Sequence, residues 1–231
     1  TFHTKKTIDY DDIKKYLNSL SLIQLQHKTN NYNSNSKQEL IELYLSRIKK
    51  FNRKEKEILR NVIGNTKMIS DWNLVKFKDI EFNFPFTLGK YIFLPDGIVN
   101  NNMTNLLKHE QTHVLQRMNQ KEYDEKYRKI YGKYIYQVSN DSIDFSEIEK
   151  IRVINPDEDN NTWIIMDKGR EYIVPYIINN RRVSTNKAYE IINNRVLNKW
   201  IPVTSLDYYK SLDYNHIILT HPNETYIDKI I

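Results

Sequence analysis

Cysteine is absent from the 231 residues of this chain. Its absence excludes disulfide bonds and thiolate metal ligands, so any metal ion would have to be held by histidine and carboxylate side chains. Apolar runs of about 18–20 residues, long enough to cross a membrane, are also absent. Acidic residues within positions 9–12 argue against a signal sequence near the start. We therefore expect no membrane partner, and the compartment stays open, with a cytoplasmic or virion-associated location if the chain is viral.

Glycine and proline are scarce, with 5 and 6 residues, and they form no linker-like run. The hydrophobic share is a low 39%, and 17 tyrosines supply much of the bulk available for a core. This length suits one large domain, or a core domain with an extension. We expect an N-terminal helical extension over residues 1–64 and one folded domain over 65–231, and the sequence leaves the oligomeric state open.

The formal net charge of +6 raises the question of a nucleic-acid partner. The basic residues are spread along the chain, apart from short clusters at 47–56 and 181–182. A dedicated nucleic-acid interface normally gathers its lysines and arginines on one face. The charge pattern therefore does not favour nucleic acid as the partner.

The strongest chemical signal is the motif His-Glu-x-x-His at residues 109–113, in a stretch without proline or glycine that predicts a helix over 101–118. Residues four apart share one face of a helix, so His109 and His113 can direct imidazole nitrogens at one metal ion. Glu110 is placed to take a proton from a metal-bound water rather than to bind the metal. The motif therefore predicts a metal site with its own general base.

A second motif near the end of the chain contains Glu224 and Asp228, again four residues apart, behind a helix-start signal at Pro222. A catalytic zinc site usually has three protein ligands and one open position. Glu224 would be the third ligand, and Asp228 could accept the free ring N–H of a ligand histidine. His216 or His221 is the alternative third ligand.

Taken together, His-Glu-x-x-His and the distant Asn-Glu-x-x-x-Asp resemble the gluzincin, or thermolysin-like, zinc metallopeptidases. The resemblance implies one Zn²⁺ ion, a peptide or protein substrate, Glu224 as third ligand and Asp228 as the partner of His109. It also implies an α+β fold with a zincin-like core, in which a small mixed or antiparallel sheet accompanies the motif helix and a C-terminal ligand helix. The zincin pattern with glycine and a third histidine soon after the motif does not fit, because Gln116 and Asn119 occupy those positions.

Four short stretches carry a further resemblance: Pro-Phe-Thr-Leu-Gly at 85–89, His-Glu-x-x-His-x-x-Gln-Arg at 109–117, Asn-Pro-Asp at 155–157 and His-Pro-x-Glu at 221–224. Together they are similar to uncharacterised predicted metallopeptidases of large DNA viruses and protists. The similarity suggests that the four stretches belong to one unit.

Hydrolysis also needs a donor for the developing oxyanion and a surface that holds the peptide. The candidate donors, which the sequence does not rank, are Tyr214, His216, Tyr226 and Arg152. Residues 86–94 are the candidate edge strand for an extended substrate, with an ordinary interior strand as the alternative. The residues proposed for that edge are Phe86, Leu88, Lys90 and Tyr91.

The rival hypothesis is a zinc-binding but non-catalytic protein, structural or virion-associated, with a degenerate peptidase site. A purely structural site has no need of a general base, so the presence of Glu110 favours an enzyme.

Hydrophobic spacing predicts the remaining elements. Helices are expected at 10–26, from a capping box at Ser36 to about 51, at 52–64, at 122–136 and at 186–198. Strands are expected at 74–77, 80–84 and 90–94, with a hairpin of 163–166 and 172–178.

Overall fold

The computed structural model describes residues 10–64, 73–157, 161–179 and 182–212. The chain divides into two compact units, with the boundary between Met118 and Asn119. The expected boundary after residue 64 is not a boundary between these units. No helix within the described ranges is long and apolar enough to cross a membrane.

The first unit contains five helices and four strands within its described residues. They are α1 (Tyr10–Ser19), α2 (Leu22–Thr29), α3 (Lys37–Ser46), β1 (Ile48–Lys49), α4 (Arg53–Gly64), β2 (Asn73–Phe77), β3 (Phe86–Leu88), β4 (Tyr91–Pro95) and α5 (Thr104–Met118). The strands form one mixed sheet in the order β1-β2-β4-β3. β2 and β4 are parallel, whereas β3 pairs antiparallel with β4 through the tight turn at Gly89.

The two faces of this sheet have different partners because successive side chains of a strand point to opposite sides. Ile92 and Leu94 of β4 pack into one core with α4 and with Leu107 and Val114 of α5. The alternate residue, Phe93, stacks on Phe86 of β3 with a ring-centroid separation of 4.4 Å. One face of the sheet therefore packs against α5, and on the other face aromatic stacking holds β3 against β4.

Three expectations for the first unit were wrong in detail. The helix expected from Ser36 to about 51 ends at Ser46, and Ile48–Lys49 form the short strand β1. The helix expected over 10–26 is two helices, because Ser21 starts α2 by accepting a hydrogen bond from the Gln24 amide. The strand expected over 80–84 is instead a tight turn, in which Glu81, Phe82 and Asn83 all have positive φ. Alternating apolar residues there mimicked a strand.

The second unit is built mainly of strands. Its described elements are α6 (Gln120–Tyr131), β5 (Ile135–Ser139), β6 (Arg152–Val153), β7 (Asn161–Asp167), β8 (Arg170–Ile173), β9 (Tyr176–Asn179), β10 (Arg182–Ser184), β11 (Lys187–Ile192), β12 (Arg195–Pro202) and α7 (Asp207–Ser211). They form a five-stranded sheet, β12-β11-β8-β7-β5, and a three-stranded sheet, β10-β9-β6. All of their pairings are antiparallel.

The five-stranded sheet is buried on both faces at β7. Trp163 and Ile165 of β7 pack with the tyrosines of α6 and α7 on one side. Ile164, between them, packs with Ile173 and Tyr189 on the other. A hairpin is confirmed in β7 and β8, but its second strand, expected over 172–178, ends at Ile173, and Tyr176–Asn179 form β9 in the other sheet. The helix expected over 122–136 ends at Tyr131 and is followed by β5.

The helix expected over 186–198 was wrong, because these residues form the hairpin of β11 and β12. Asn193 and Asn194 make its two-residue turn with φ values of 51° and 61°. Positive φ at both central positions is the type I′ geometry that suits hairpins, and asparagine adopts it more readily than most residues. The protein is thus a mixed α plus β structure, as expected for its fold class.

Candidate metal centre

Helix α5 is buried on more than one side. Leu107 and Val114 face the core shared with β4 and α4. Each residue of an α-helix is rotated by about 100° about the helix axis from the one before it. His109 and His113 therefore lie about 160° and about 120° away from Leu107 around that axis. Even so, Glu110 is only 4% exposed and His113 only 1%. A second, polar face of this helix is therefore removed from water as well.

The two histidines of the motif converge on this polar face. Nε2 of His109 and Nε2 of His113 lie 3.3 Å apart, with the ring planes at 79°. At this distance the two nitrogens can share a hydrogen bond, in which one ring donates and the other accepts according to their tautomers. The same atom of each ring takes part in this close approach, and both nitrogens are of the type that binds metal ions.

This geometry fits zinc. Imidazole nitrogens bind Zn²⁺ at about 2.0–2.1 Å, and two ligands at a tetrahedral angle are then about 3.3–3.4 Å from each other. The observed separation of the two Nε2 atoms, 3.3 Å, agrees with that value. Imidazole nitrogens are also ligands that zinc prefers.

Glu110 follows the first histidine directly and is itself buried. Water is largely excluded around its carboxylate, and a lower local dielectric strengthens its interaction with any nearby positive charge. Thr112, on another side of the helix, donates its hydroxyl to the Lys108 carbonyl at 2.9 Å, so its polar group is satisfied within the helix. Glu110 is the residue of the motif best suited to exchange a proton.

Arg117 makes a contact that the sequence-based reasoning missed. Its Nη2 donates hydrogen bonds to the hydroxyl of Thr87 and to the carbonyl of Gly89, the latter at 3.3 Å. The available signal was its spacing, since Arg117 stands four residues after His113 and therefore on the same helix face. Its partners, Thr87 in β3 and Gly89 in the turn that follows, had no sequence pattern that would have predicted the contact.

The stretch proposed as a substrate edge, residues 86–94, forms parts of two strands and the turn between them rather than one edge strand. Phe86 and Leu88 belong to β3, the last strand of its sheet within the described residues, but Tyr91 lies in β4, between β2 and β3. Lys90 is in the turn that joins the two strands. The Phe86 and Tyr91 side chains are buried, so a peptide at this edge would meet the main chain of β3.

The remaining candidates lie in the second unit or outside the described residues. Arg152 lies in β6 of the second unit, where its guanidinium stacks on the Phe145 ring at 3.6 Å from the ring centroid. The other predicted site residues lie outside the described part of the chain: Tyr214, His216, His221, Glu224, Tyr226 and Asp228. Over the described ranges, no group of three His, Asp or Glu side chains is arranged to hold a metal ion.

Comparisons of the chain with protein-family models, with curated proteins and with solved structures gave no significant match. The chemistry of α5 is therefore the basis for a functional interpretation.

Proposed function

We propose that this protein is a zinc-dependent peptidase whose metal-binding helix is α5. The observation that carries the proposal is the 3.3 Å separation of the His109 and His113 Nε2 atoms, which agrees with two tetrahedral zinc ligands. The buried carboxylate of Glu110 beside them supports hydrolysis over a purely structural role.

In this proposal His109, His113 and Glu224 hold one zinc ion, as the resemblance to gluzincins implies. Asp228 accepts the free ring N–H of His109 and so fixes its tautomer and orientation. The mixed sheet under α5, with β3 at its end, supports the further proposal of a zincin-like core.

Bound zinc would supply Lewis-acid polarisation of the substrate carbonyl and a water whose pKa is lowered toward 7. The Glu110 carboxylate would act as the proton acceptor during the attack of water and as the donor to the leaving amine. The main chain of β3 holds the peptide extended by strand pairing. Tyr214, His216, Tyr226 and Arg152 remain the candidates for the oxyanion donor.

The metal is tested first. We expect the purified full-length protein to carry about one zinc ion per chain, and His113→Ala to lose most of it, because two ligands hold zinc far more weakly than three. The measurement is metal content by mass spectrometry after gel filtration. A matched control is His27→Ala, since His27 is another buried histidine of the first unit and contacts Tyr32 rather than the motif.

The comparison of the two variants decides the site. Full zinc content in His113→Ala would show that α5 is not the metal site. Equal losses in both variants would point to general unfolding, which circular dichroism of each variant would reveal.

Asp228→Asn should weaken zinc affinity or activity by about 10–100-fold, the usual cost of losing an outer hydrogen-bond partner of a ligand. The asparagine keeps the shape of the side chain but loses the negative charge that favours the ring N–H donor. Competition with a chelator of known affinity measures the change, with Asp141→Asn, an exposed aspartate, as control. An affinity equal to that of the wild type would remove Asp228 from the site.

The zinc-binding but non-catalytic alternative has its own expected result. Four protein ligands around the zinc, with no water, would favour structure, whereas an open position beside Glu110 favours hydrolysis. X-ray absorption at the zinc edge would separate these two coordination spheres.

A further inference from the structure

Arg117 joins the metal-binding helix to the strand beside it. Residues 109, 113 and 117 follow one another at four-residue intervals, so the two histidines and the arginine share one face of α5. The guanidinium Nη2 donates to the Thr87 hydroxyl and to the Gly89 carbonyl. A single helix therefore carries both the proposed metal ligands and the arginine that is hydrogen-bonded to Thr87 and Gly89.

Thr87 is the central residue of the three-residue strand β3, and its side chain is fully buried. It stands opposite Ile92, which faces α5 in the core. Phe86 points to the other face of the sheet, where it stacks on Phe93. β3 is thus held from both faces, by aromatic stacking on one and by Arg117 on the other.

The main-chain hydrogen bonds between β3 and β4 give β3 little support on their own, because a three-residue strand makes few of them. Its position relative to α5 then depends on side-chain contacts. Arginine suits this task, since its planar guanidinium has several donors in fixed directions and stays charged at any ordinary pH. A strand fixed in this way is preorganised, which lowers the cost of binding a peptide along it.

We propose that Arg117 is a positioning residue, which holds the main chain of β3 at the distance from His109 and His113 that brings a bound peptide to the metal. The inference rests on the proposed peptidase function, and it adds a residue to that function. Arg117 acts through Thr87 and Gly89 and does not itself touch the reacting atoms.

The experiment measures peptide binding separately from hydrolysis. Full-length protein carrying Glu110→Gln, loaded with zinc, is titrated against fluorescein-labelled casein, an unfolded protein, and followed by fluorescence anisotropy. In this background Arg117→Met and Thr87→Val should each raise the Kd by about tenfold, the effect of losing one hydrogen bond to a charged group. The double variant should be little worse than either single one, because both remove the same contact.

Two further variants make the test specific. Arg60→Met, which removes an exposed arginine of α4 in the same unit, should leave the Kd unchanged. Arg117→Lys should restore part of the affinity, since an amine can reach one of the two acceptors. In protein with an intact Glu110, Arg117→Met should raise KM for casein more than it lowers kcat, whereas a general loss of fold would lower the active fraction and leave KM unchanged.

Zinc content separates a failure of this inference from a failure of the proposed function. An unchanged Kd in Arg117→Met with full zinc content would overturn the positioning role and leave the metal site standing. Loss of zinc in Arg117→Met would also overturn it, because the arginine would then support the helix rather than the strand. Absence of casein binding in every variant would overturn it too, and zinc analysis of the parent protein would report on the metal site independently.

Discussion

Glu110→Gln should abolish most peptide hydrolysis while leaving the zinc content and the melting temperature almost unchanged. Glutamine keeps the volume and the hydrogen-bonding capacity of this buried side chain but cannot accept the proton. Loss of general acid–base catalysis typically costs about 10²–10⁴-fold in rate. The measurement is hydrolysis of casein by the full-length protein across roughly pH 6–8, where a zinc-bound water ionises, with and without a chelator.

A matched control is Glu57→Gln, which makes the same change at an exposed position of α4. Its activity should equal that of the wild type. Equal activity in Glu110→Gln would mean that the measured hydrolysis does not come from this site. A wild type that carries zinc but cleaves nothing would instead support the non-catalytic alternative.

The motif helix was predictable because its signal is local. Periodic apolar residues and the lack of a helix breaker predicted residues 101–118, and α5 spans Thr104–Met118. The four-residue spacing of His109 and His113 likewise implies a shared face in any helix. Side-chain geometry within one helix follows from the sequence, and the convergence of the two Nε2 atoms is such a case.

Strands were less predictable because their partners lie far along the chain. The residues of β11 and β12 contain apolar positions whose spacing also suits a helix. In the sheet, Tyr189 and Ile191 share one face, as alternate residues of a strand do. The sequence feature that indicates a hairpin is the Asn193-Asn194 pair, which forms the two-residue turn. The helix-like spacing of the apolar residues around it favoured the wrong prediction.

Contacts between distant residues were beyond a reading of one sequence. Arg117 and Thr87 are 30 positions apart, and Lys28 and Glu81 are 53 apart. Nothing in the local pattern of either residue indicates its partner, because the juxtaposition is made by the packing of whole elements. The predicted third ligand, Glu224, lies outside the described residues.

The pair of Lys28 and Glu81 is the most deeply buried ion pair among the described residues. Lys28 Nζ lies 2.7 Å from Glu81 Oε2, and the two side chains are 0% and 4% exposed. The Tyr44 hydroxyl donates to the other carboxylate oxygen at 2.9 Å. Burial, and then the negative charge of Glu81, raise the pKa of Tyr44 well above its usual value, so this tyrosine stays a neutral donor.

The pair also anchors an unusual backbone. Glu81 opens the turn of three residues with positive φ, a conformation that costs non-glycine residues about 1–2 kcal/mol each. α2 supplies Lys28 and α3 supplies Tyr44, so both helices hold this turn through one carboxylate. Loss of the carboxylate charge would therefore loosen the turn that leads into β3.

Glu81→Gln should lower the free energy of unfolding of the first unit by about 3–5 kcal/mol, because it leaves the Lys28 ammonium buried without its counter-charge. Lys28→Met should cost a comparable amount, and the double variant should cost much less than the sum, since it leaves no buried charge behind. Urea unfolding followed by far-UV circular dichroism reports on this unit, whose helices dominate the signal. Arg47→Met is the control, because its ion pair with Asp79 near the same turn is 38% and 50% exposed and should contribute less than about 1 kcal/mol. A loss in Glu81→Gln no larger than that of the control would show that the turn holds its shape without the buried charge.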